Sequence, residues 1–321
     1  MRFFSQVPNF DFMGKRRIAM GASIVAMLVS LGSLFIHGLS FGVDFTGGVI
    51  MEVAFSESAD LGEVRRTLEA GGFGGVSATT YGSTRNVLIR AMPSENPNEA
   101  KGENQNEAKQ AQAMLDVLKV KHSDVQLRRV EFVGPQVGSD LRVQGVLACV
   151  FALIGILIYV AVRFKWKFGV GAVAATLHDV IILVGFFSLF QFEFDLTVLA
   201  AVLAIIGYAL NDTVVIFDRI RENFRKVRKA SAEEIMNLSI NQTLSRSIMT
   251  HLVTLIVVFA MFFVGGEAIH NFALALIVGI VVATYASIYI ASALTLWLKV
   301  TPADVVEAEP TKERAQIDAM P

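Results

Sequence analysis

Apolar positions gather into six long runs, at 18–36, 143–162, 168–190, 196–217, 247–264 and 271–298. A helix crossing the roughly 30 Å hydrocarbon layer needs about 20 such residues, because lipid offers its backbone no partner. Each run is therefore read as a transmembrane helix. Lys15, Arg16 and Arg17 precede the first, and Gly38-x-Ser40 follows it as a small-x-small site. Its apolar stretch exceeds the roughly 7–15 residues of a signal-peptide core, so it is expected to be an uncleaved anchor.

Between the first two runs the period changes. Residues 49–55 are rich in β-formers, and 59–70 carry Leu61, Val64 and Leu68 at helical spacing before a glycine-rich break at 71–75. Segments 76–81 and 87–91 read as two strands joined by a turn. A polar stretch at 93–107 is expected to be a flexible insertion. A second amphipathic helix follows with Ala111, Met114, Leu115 and Leu118, and 125–133 closes as a strand. The order β-α-β-β-α-β is that of a small ferredoxin-like sandwich. The fold expected is thus a polytopic α-helical membrane protein with six transmembrane helices and one small α+β periplasmic domain between helices 1 and 2.

Lys and Arg in short loops mark the cytoplasmic side. They occur at 15–17, at Arg163, Lys165 and Lys167, and in a cluster from Arg219 to Lys229, whereas loops 191–195 and 265–270 have none. Both termini then lie in the cytoplasm. The chain divides into an N-terminal segment 1–17, an anchor 18–36, an exported domain 37–142, five helices across 143–298 and a cytoplasmic tail 299–321. The pattern is that of a multi-pass protein of a cell membrane.

Composition agrees: 54% of the 321 residues are hydrophobic and 18% charged, with mean hydropathy +0.55. A net charge of -1 argues against a nucleic-acid partner. One cysteine, Cys149, excludes an internal disulfide and a cysteine-built metal site, and no organic cofactor is indicated. The exported domain shows no catalytic grouping. Its single histidine, His122, reads as solvated, and its sheet edges as places where an extended chain could add a strand.

Polar residues within the runs carry the chemistry. His178 and Asp179 lie in the third, Asn211, Asp212 and Thr213 in the fourth, and Arg246 and His251 at the start of the fifth. An ionisable group in hydrocarbon marks a conduction path, a relay or a partner charge. An aspartate whose basic partner moves can load and release a proton, and Arg246 is placed to reach Asp212. His178 next to Asp179 invites a relay, although adjacent helix positions point about 100° apart. Gly279, Ala283, Ser287, Ala291 and Thr295 form a close-packing face on the last run. Ala200, Ala204, Gly207 and Asn211 do the same on the fourth, beside Asp212.

Several blocks go beyond generic membrane pattern: Gly42-Val-Asp-Phe-Thr-Gly-Gly48, Phe132-Val-Gly-Pro-Gln136, Leu177-His-Asp-Val180, the long block from Ile206 through Asn211-Asp212-Thr213 to Asn223, Ser239-Ile-Asn-Gln-Thr-Leu-Ser-Arg-Ser247 and Phe272-Ala-Leu-Ala-Leu-Ile-Val-Gly-Ile280. In sequence and order they resemble the SecD/SecF family, related to the RND transporters. The resemblance runs from the first helix to the last, leaving out 93–107 and the tail after Lys299. It implies a non-enzymatic accessory subunit that uses the proton gradient to help complete protein export. The partners it implies are a separate SecD chain, the SecYEG translocon, YajC and a translocating unfolded polypeptide. It maps the family's membrane carboxylate onto Asp212 and its basic residue onto Arg246. It also places Asp44, with Gly42, Gly47 and Gly48, at a hinge between anchor and exported domain. Two rivals share the carboxylates: an RND-type small-solute exporter, and an intramembrane aspartyl protease using Asp179 with Asp212, which lacks a Gly-x-Gly-Asp context.

Overall fold

The computed structural model describes residues 7–92, 103–227 and 229–304. Positions 93–102 of the polar stretch and the tail beyond 304 lie outside them. Six helices long and apolar enough to span a membrane are present among the described residues. They are α1 (Arg16–Ile36), α5 (Pro135–Arg163), α6 (Trp166–Phe190), α7 (Leu196–Lys226), α8 (Ala232–Val264) and a last one in three pieces. That last helix comprises α9 (Glu267–Ala286), a π-helical turn (Ser287–Ala291) and α10 (Ser292–Trp297). At 1.5 Å per residue, the 21 residues of α1 span about 31 Å, enough for the hydrocarbon layer.

Only 11% of the most apolar window of α5 is buried, against 44% for α6 and α7, so α5 lies at the rim and α6 and α7 at the centre. Glycines set the closest crossings. A Cβ on Gly171 of α6 would come 2.7 Å from the Ala291 carbonyl, and one on Gly279 of α9 would come 2.5 Å from Ile205 of α7. On Gly185 of α6 it would meet the Ser30 side chain of α1. The small residues of the last helix therefore do pack within this chain. Ala200, Ala204, Gly207 and Asn211 of α7 remain exposed.

Between α1 and α5 lie β1 (Ser40–Phe41), a single helical turn α2 (Val43–Thr46) and the α+β domain. The domain comprises β2 (Gly48–Ala54), α3 (Leu61–Ala70), β3 (Ser77–Tyr81), β4 (Ser83–Ala91), α4 (Glu103–Lys121) and β5 (Gln126–Val133). Its sheet is antiparallel in the order β3-β4-β2-β5, the arrangement of a ferredoxin-like sandwich. Alternation decides the faces: Met51, Val53, Val87 and Ile89 point to Val64, Leu68, Met114 and Leu118 of the two helices. Asp60 caps α3, accepting from the Gly62 and Glu63 amides at 2.8 and 3.3 Å. Strand β4 starts at Ser83, four residues before the apolar run, because Gly82 at φ +71° turns the chain tightly enough for Ser83 to pair with Tyr81. His122 is not simply solvated: its ring meets Phe55 edge-on at 5.4 Å.

Several features lay outside the apolar runs. Helix α8 begins fifteen residues before its run, opened by a reciprocal capping box between Ser231 and Glu234. With the polar end of α7 it forms a hairpin in which Asn223 donates to Ser239 and Gln242 at 2.8 and 2.9 Å. Asn237 and Asn241 of α8 accept the backbone amides of Met13 and Phe10, both at 2.9 Å, fastening the segment before α1. Strand β6 (Glu193–Phe194), in the loop between α6 and α7, pairs in parallel with β1.

Candidate functional site: two polar clusters around a π turn

Inward positions of α7 fall at Ala209, Asp212, Thr213, Ile216 and Phe217, a helical face that carries the Asp212 carboxylate into the bundle, 7% exposed. Both its oxygens are occupied. Oδ1 accepts from the Ser247 hydroxyl of α8 at 2.5 Å, and Oδ2 from the Ser287 hydroxyl of the π turn at 2.8 Å. Ser287 also lies 3.0 Å from the Thr284 carbonyl. A hydroxyl has one proton, so carboxylate and carbonyl compete for it. Thr213 turns back on its own helix, donating to the Ala209 carbonyl at 3.2 Å. Thr284 lies 2.8 Å from His251 Nδ1 and donates to the Ile280 carbonyl at 2.7 Å, extending the polar path along α9.

The π turn makes this contact possible. An extra residue in the turn shifts helical phase, and such turns recur where a helix must re-aim side chains. The Ser292 hydroxyl donates to the Ser287 carbonyl at 3.2 Å and supports the widened turn.

The expected approach of Arg246 to Asp212 is not what this structure contains. Arg246 is exposed on α8 and forms no ion pair among the described residues. Adjacent helix positions differ by about 100°, so it is Ser247 that faces the carboxylate. Asn211 likewise points outward.

A second cluster lies on the other side of the π turn. His178 and Asp179 of α6 are each 2% exposed, with Nδ1 3.1 Å from Oδ1. The angle between adjacent positions did not keep them apart, since both side chains bend into one gap. The His178 ring stacks on Tyr285 at 6.3 Å. The Tyr285 hydroxyl donates to the Ala19 carbonyl of α1 at 2.6 Å and accepts from Ser23 at 3.1 Å. Asp179 and Asp212 thus bond to different partners, whereas a protease dyad requires two carboxyls sharing one proton.

The glycine block closes the far end. Asp44 of α2 accepts the Leu196 amide, the first of α7, at 3.1 Å, and the Gly42 amide donates to the Phe194 carbonyl at 3.0 Å. Asp195 caps α7 through the Val198 amide at 2.8 Å. Gly47 and Gly48 hold φ of +76° and +137°, values that disfavour any side chain. A Cβ on Gly47 would come 2.8 Å from Pro135 Cα, and one on Gly48 would strike the Ala91 carbonyl.

Ser247 and Ser287, whose hydroxyls hold Asp212, are the contacts that no hydrophobic pattern singles out. Ser287 stood in a repeat of small residues and read as packing, and only its hydroxyl distinguished it from the alanines.

Residues 113–301 match the family described as "Protein export membrane protein SecD/SecF, C-terminal", and residues 32–59 match the "SecD/SecF GG Motif". The chain is 45% identical over 316 residues to a protein translocase subunit SecF of Pseudomonas aeruginosa, covering 98% of this chain and 99% of the relative. It is 45% identical to the one of Vibrio alginolyticus, covering 98% and 97%. Among solved structures it resembles SecDF of Thermus thermophilus, a translocon-associated membrane protein. There the TM-score is 0.75 and the identity 37%, over 91% of this chain and 39% of that one. A second SecDF structure, in a super-membrane-facing form, gives a TM-score of 0.69 at 35% identity, over 99% and 41%. The chain spans about two fifths of those structures and nearly the whole of the curated relatives.

Proposed function

Because the chain belongs to the SecD/SecF family of protein-export membrane proteins, we propose that it works as the six-helix half of a proton-driven accessory unit of the Sec translocase. A SecD chain supplies the other half. The observation that carries the proton step is Asp212: a carboxylate nearly sealed from water, held by two neutral hydroxyls from two other helices. An ionisable group at such a depth in a span is the kind that marks a relay, and it responds to any change in its partners.

In this reading the domain faces outside and both termini the cytoplasm of a bacterial inner membrane. The exposed small-residue face of α7 receives the SecD helices, and Arg246 completes the site when that interface moves it inward. A proton entering from outside neutralises Asp212. Its hold on Ser287 weakens, the hydroxyl returns to the Thr284 carbonyl, and the helices shift at the π turn. His178 and Asp179 sense the shift through Tyr285, which is tied to α1 and so to the exported domain. One charge crossing 100 mV supplies about 2.3 kcal/mol, enough to bias a two-state element tens-fold. The work is delivered to an unfolded polypeptide leaving SecYEG, with YajC as a further companion.

Asp212→Asn is expected to abolish stimulation of export by the proton gradient in reconstituted vesicles; full stimulation in that variant would overturn the reading. Copurification from native membranes should bring down a SecD chain. The rival, a small-solute exporter, predicts that depletion slows efflux and leaves secretion intact.

A further inference from the structure

Three helices each turn two polar side chains into the bundle, and on every helix the two sit about one turn apart. Asp212 of α7, Ser247 of α8 and Ser287 of the π turn form one layer. Tyr208, His251 and Thr284 form a second: Tyr208 precedes Asp212 by four residues, His251 follows Ser247 by four, and Thr284 precedes Ser287 by three. The directions of the helices decide where it lies. Helices α7 and α9 start at the end of the bundle that carries the α+β domain, where Leu196 is tied to Asp44 and Asn271 to Glu193, and α8 ends there. All three steps therefore run toward the domain. The second layer stands on the domain side of Asp212, by about 5.4 Å, the rise of a helical turn.

This layer is built around one ring. His251 is 6% exposed. The Thr284 hydroxyl has a single proton and donates it to the Ile280 carbonyl at 2.7 Å, so in its 2.8 Å contact with the ring the Nδ1–H donates to Oγ1. That fixes the tautomer, and Nε2 carries the lone pair. Tyr208 covers the ring at 5.4 Å between centroids. Its buried hydroxyl makes no hydrogen bond, because the nearby Thr254 hydroxyl is turned to the Thr250 carbonyl at 2.9 Å. Of the helices packed on α8, α7 presents Tyr208 and Asp212 to the ring, α9 presents the Thr284 hydroxyl, and α10 has no titratable residue. Tyr285 and Tyr289 turn to α1 and to Phe12, His178 and Asp179 pair across the π turn, and Arg246 points outward. Asp212 is thus the charge that His251 faces among the described residues.

We propose that His251 is the proton relay that serves Asp212: a proton arriving from the domain side binds the Nε2 lone pair, and the imidazolium then passes it to the Asp212 carboxylate. One N–H bond forms and breaks and one carboxyl O–H bond forms. The charged pair ends as a neutral ring and a neutral acid, which leaves no net charge to be held among the helices. The transfer covers about one turn, a span that a single water bridges, and the uncommitted Tyr208 hydroxyl can bond to it. An imidazole suits the step because its ordinary basicity lies near neutrality. While it is charged, it is also the cation that the outward Arg246 does not supply in this structure.

The relay rests on the reading of Asp212 as the coupling carboxylate. The full chain with its copurifying partner is reconstituted in vesicles, and stimulation of export is measured with the gradient imposed as a membrane potential, so that an added base does not dissipate it. His251→Gln keeps an amide donor for Thr284 but carries no proton near neutrality, and it should lose roughly tenfold or more of the stimulation. His251→Ala should lose as much and recover severalfold with imidazole in the buffer, but not with pyrazole, which has the same shape and is too weak a base. Wild type with each additive is the reference, and copurification with the partner reports folding; if His251→Ala does not assemble, His251→Gln decides. Full stimulation in His251→Gln, recovery of His251→Ala by pyrazole as well as imidazole, or recovery by neither, overturns the relay. Asp212→Asn in the same vesicles separates the two ideas. Loss of stimulation there beside full stimulation in His251→Gln sinks the relay alone, whereas full stimulation in Asp212→Asn sinks the coupling reading and the relay with it.

Discussion

At the scale of single residues, two hydroxyls carry as much of the site as the carboxylate they hold. A hydrogen bond to a charged group contributes about 1.5–3 kcal/mol. Ser287→Ala is therefore expected to cut gradient-driven export roughly tenfold or more, while Ser287→Thr, which keeps the hydroxyl, retains most of it. Export measured in the same vesicles decides, and equal losses in both variants would mean that Ser287 serves only as a spacer. Asp212 and the His178–Asp179 pair were legible in the sequence because a charge amid apolar residues stands out. Their partners were not, since Ser247 and Ser287 lie 35 and 75 positions from Asp212 and serine is ordinary in a packed helix. The placing of Arg246 opposite Asp212 failed on one helical step, for pattern supplies the neighbourhood and only phase decides which of two adjacent residues faces in.

Among the elements, the six spans could be read from hydropathy, because lipid demands both length and apolarity. What hydropathy does not see is helix continuing into water: the polar ends of α7 and α8 rest on capping, ion pairs such as Glu222–Lys226 at 2.6 Å, and the amides of Asn223, Asn237 and Asn241. The two-residue strands β1 and β6 are too short for any periodicity, and the π turn has no sequence signature beyond its small residues. The glycine block is the element most sensitive to change. Gly48→Ala adds a Cβ at positive φ against the Ala91 carbonyl and is expected to destabilise the chain by about 2 kcal/mol or more. Thermal unfolding in detergent measures this, and an unchanged midpoint would show that β2 can shift to make room.

The molecule as a whole is a bundle with polar clusters buried among its helices and an α+β domain at one end. Helix α7 joins the two, carrying Asp212 in its middle and tied at its first residue to Asp44. In the proposed pairing with a SecD chain, the exposed small-residue face of α7 is where a second set of helices would rest. The domain's ferredoxin-like order was legible from alternation and turns. How it sits on the bundle was not, because Arg90, Glu193, Asp44 and Leu196 meet only through chain distances that no local pattern spans.

That separation also sets a timetable for biosynthesis. The last strand of the sandwich ends at Val133 and Leu196 follows 63 positions later, so at about 5–20 residues per second a growing chain emerges for roughly 3 to 13 s with the sandwich already complete and its ties to β6 and α7 not yet made. The domain must therefore mature before the contacts of Arg90, Gly42 and Asp44 with β6 and α7 exist. A chain stopped at Phe190 is expected to yield a protease-resistant core that is readily cut between residues 38 and 47, a site that becomes guarded once the ribosome has passed Lys226.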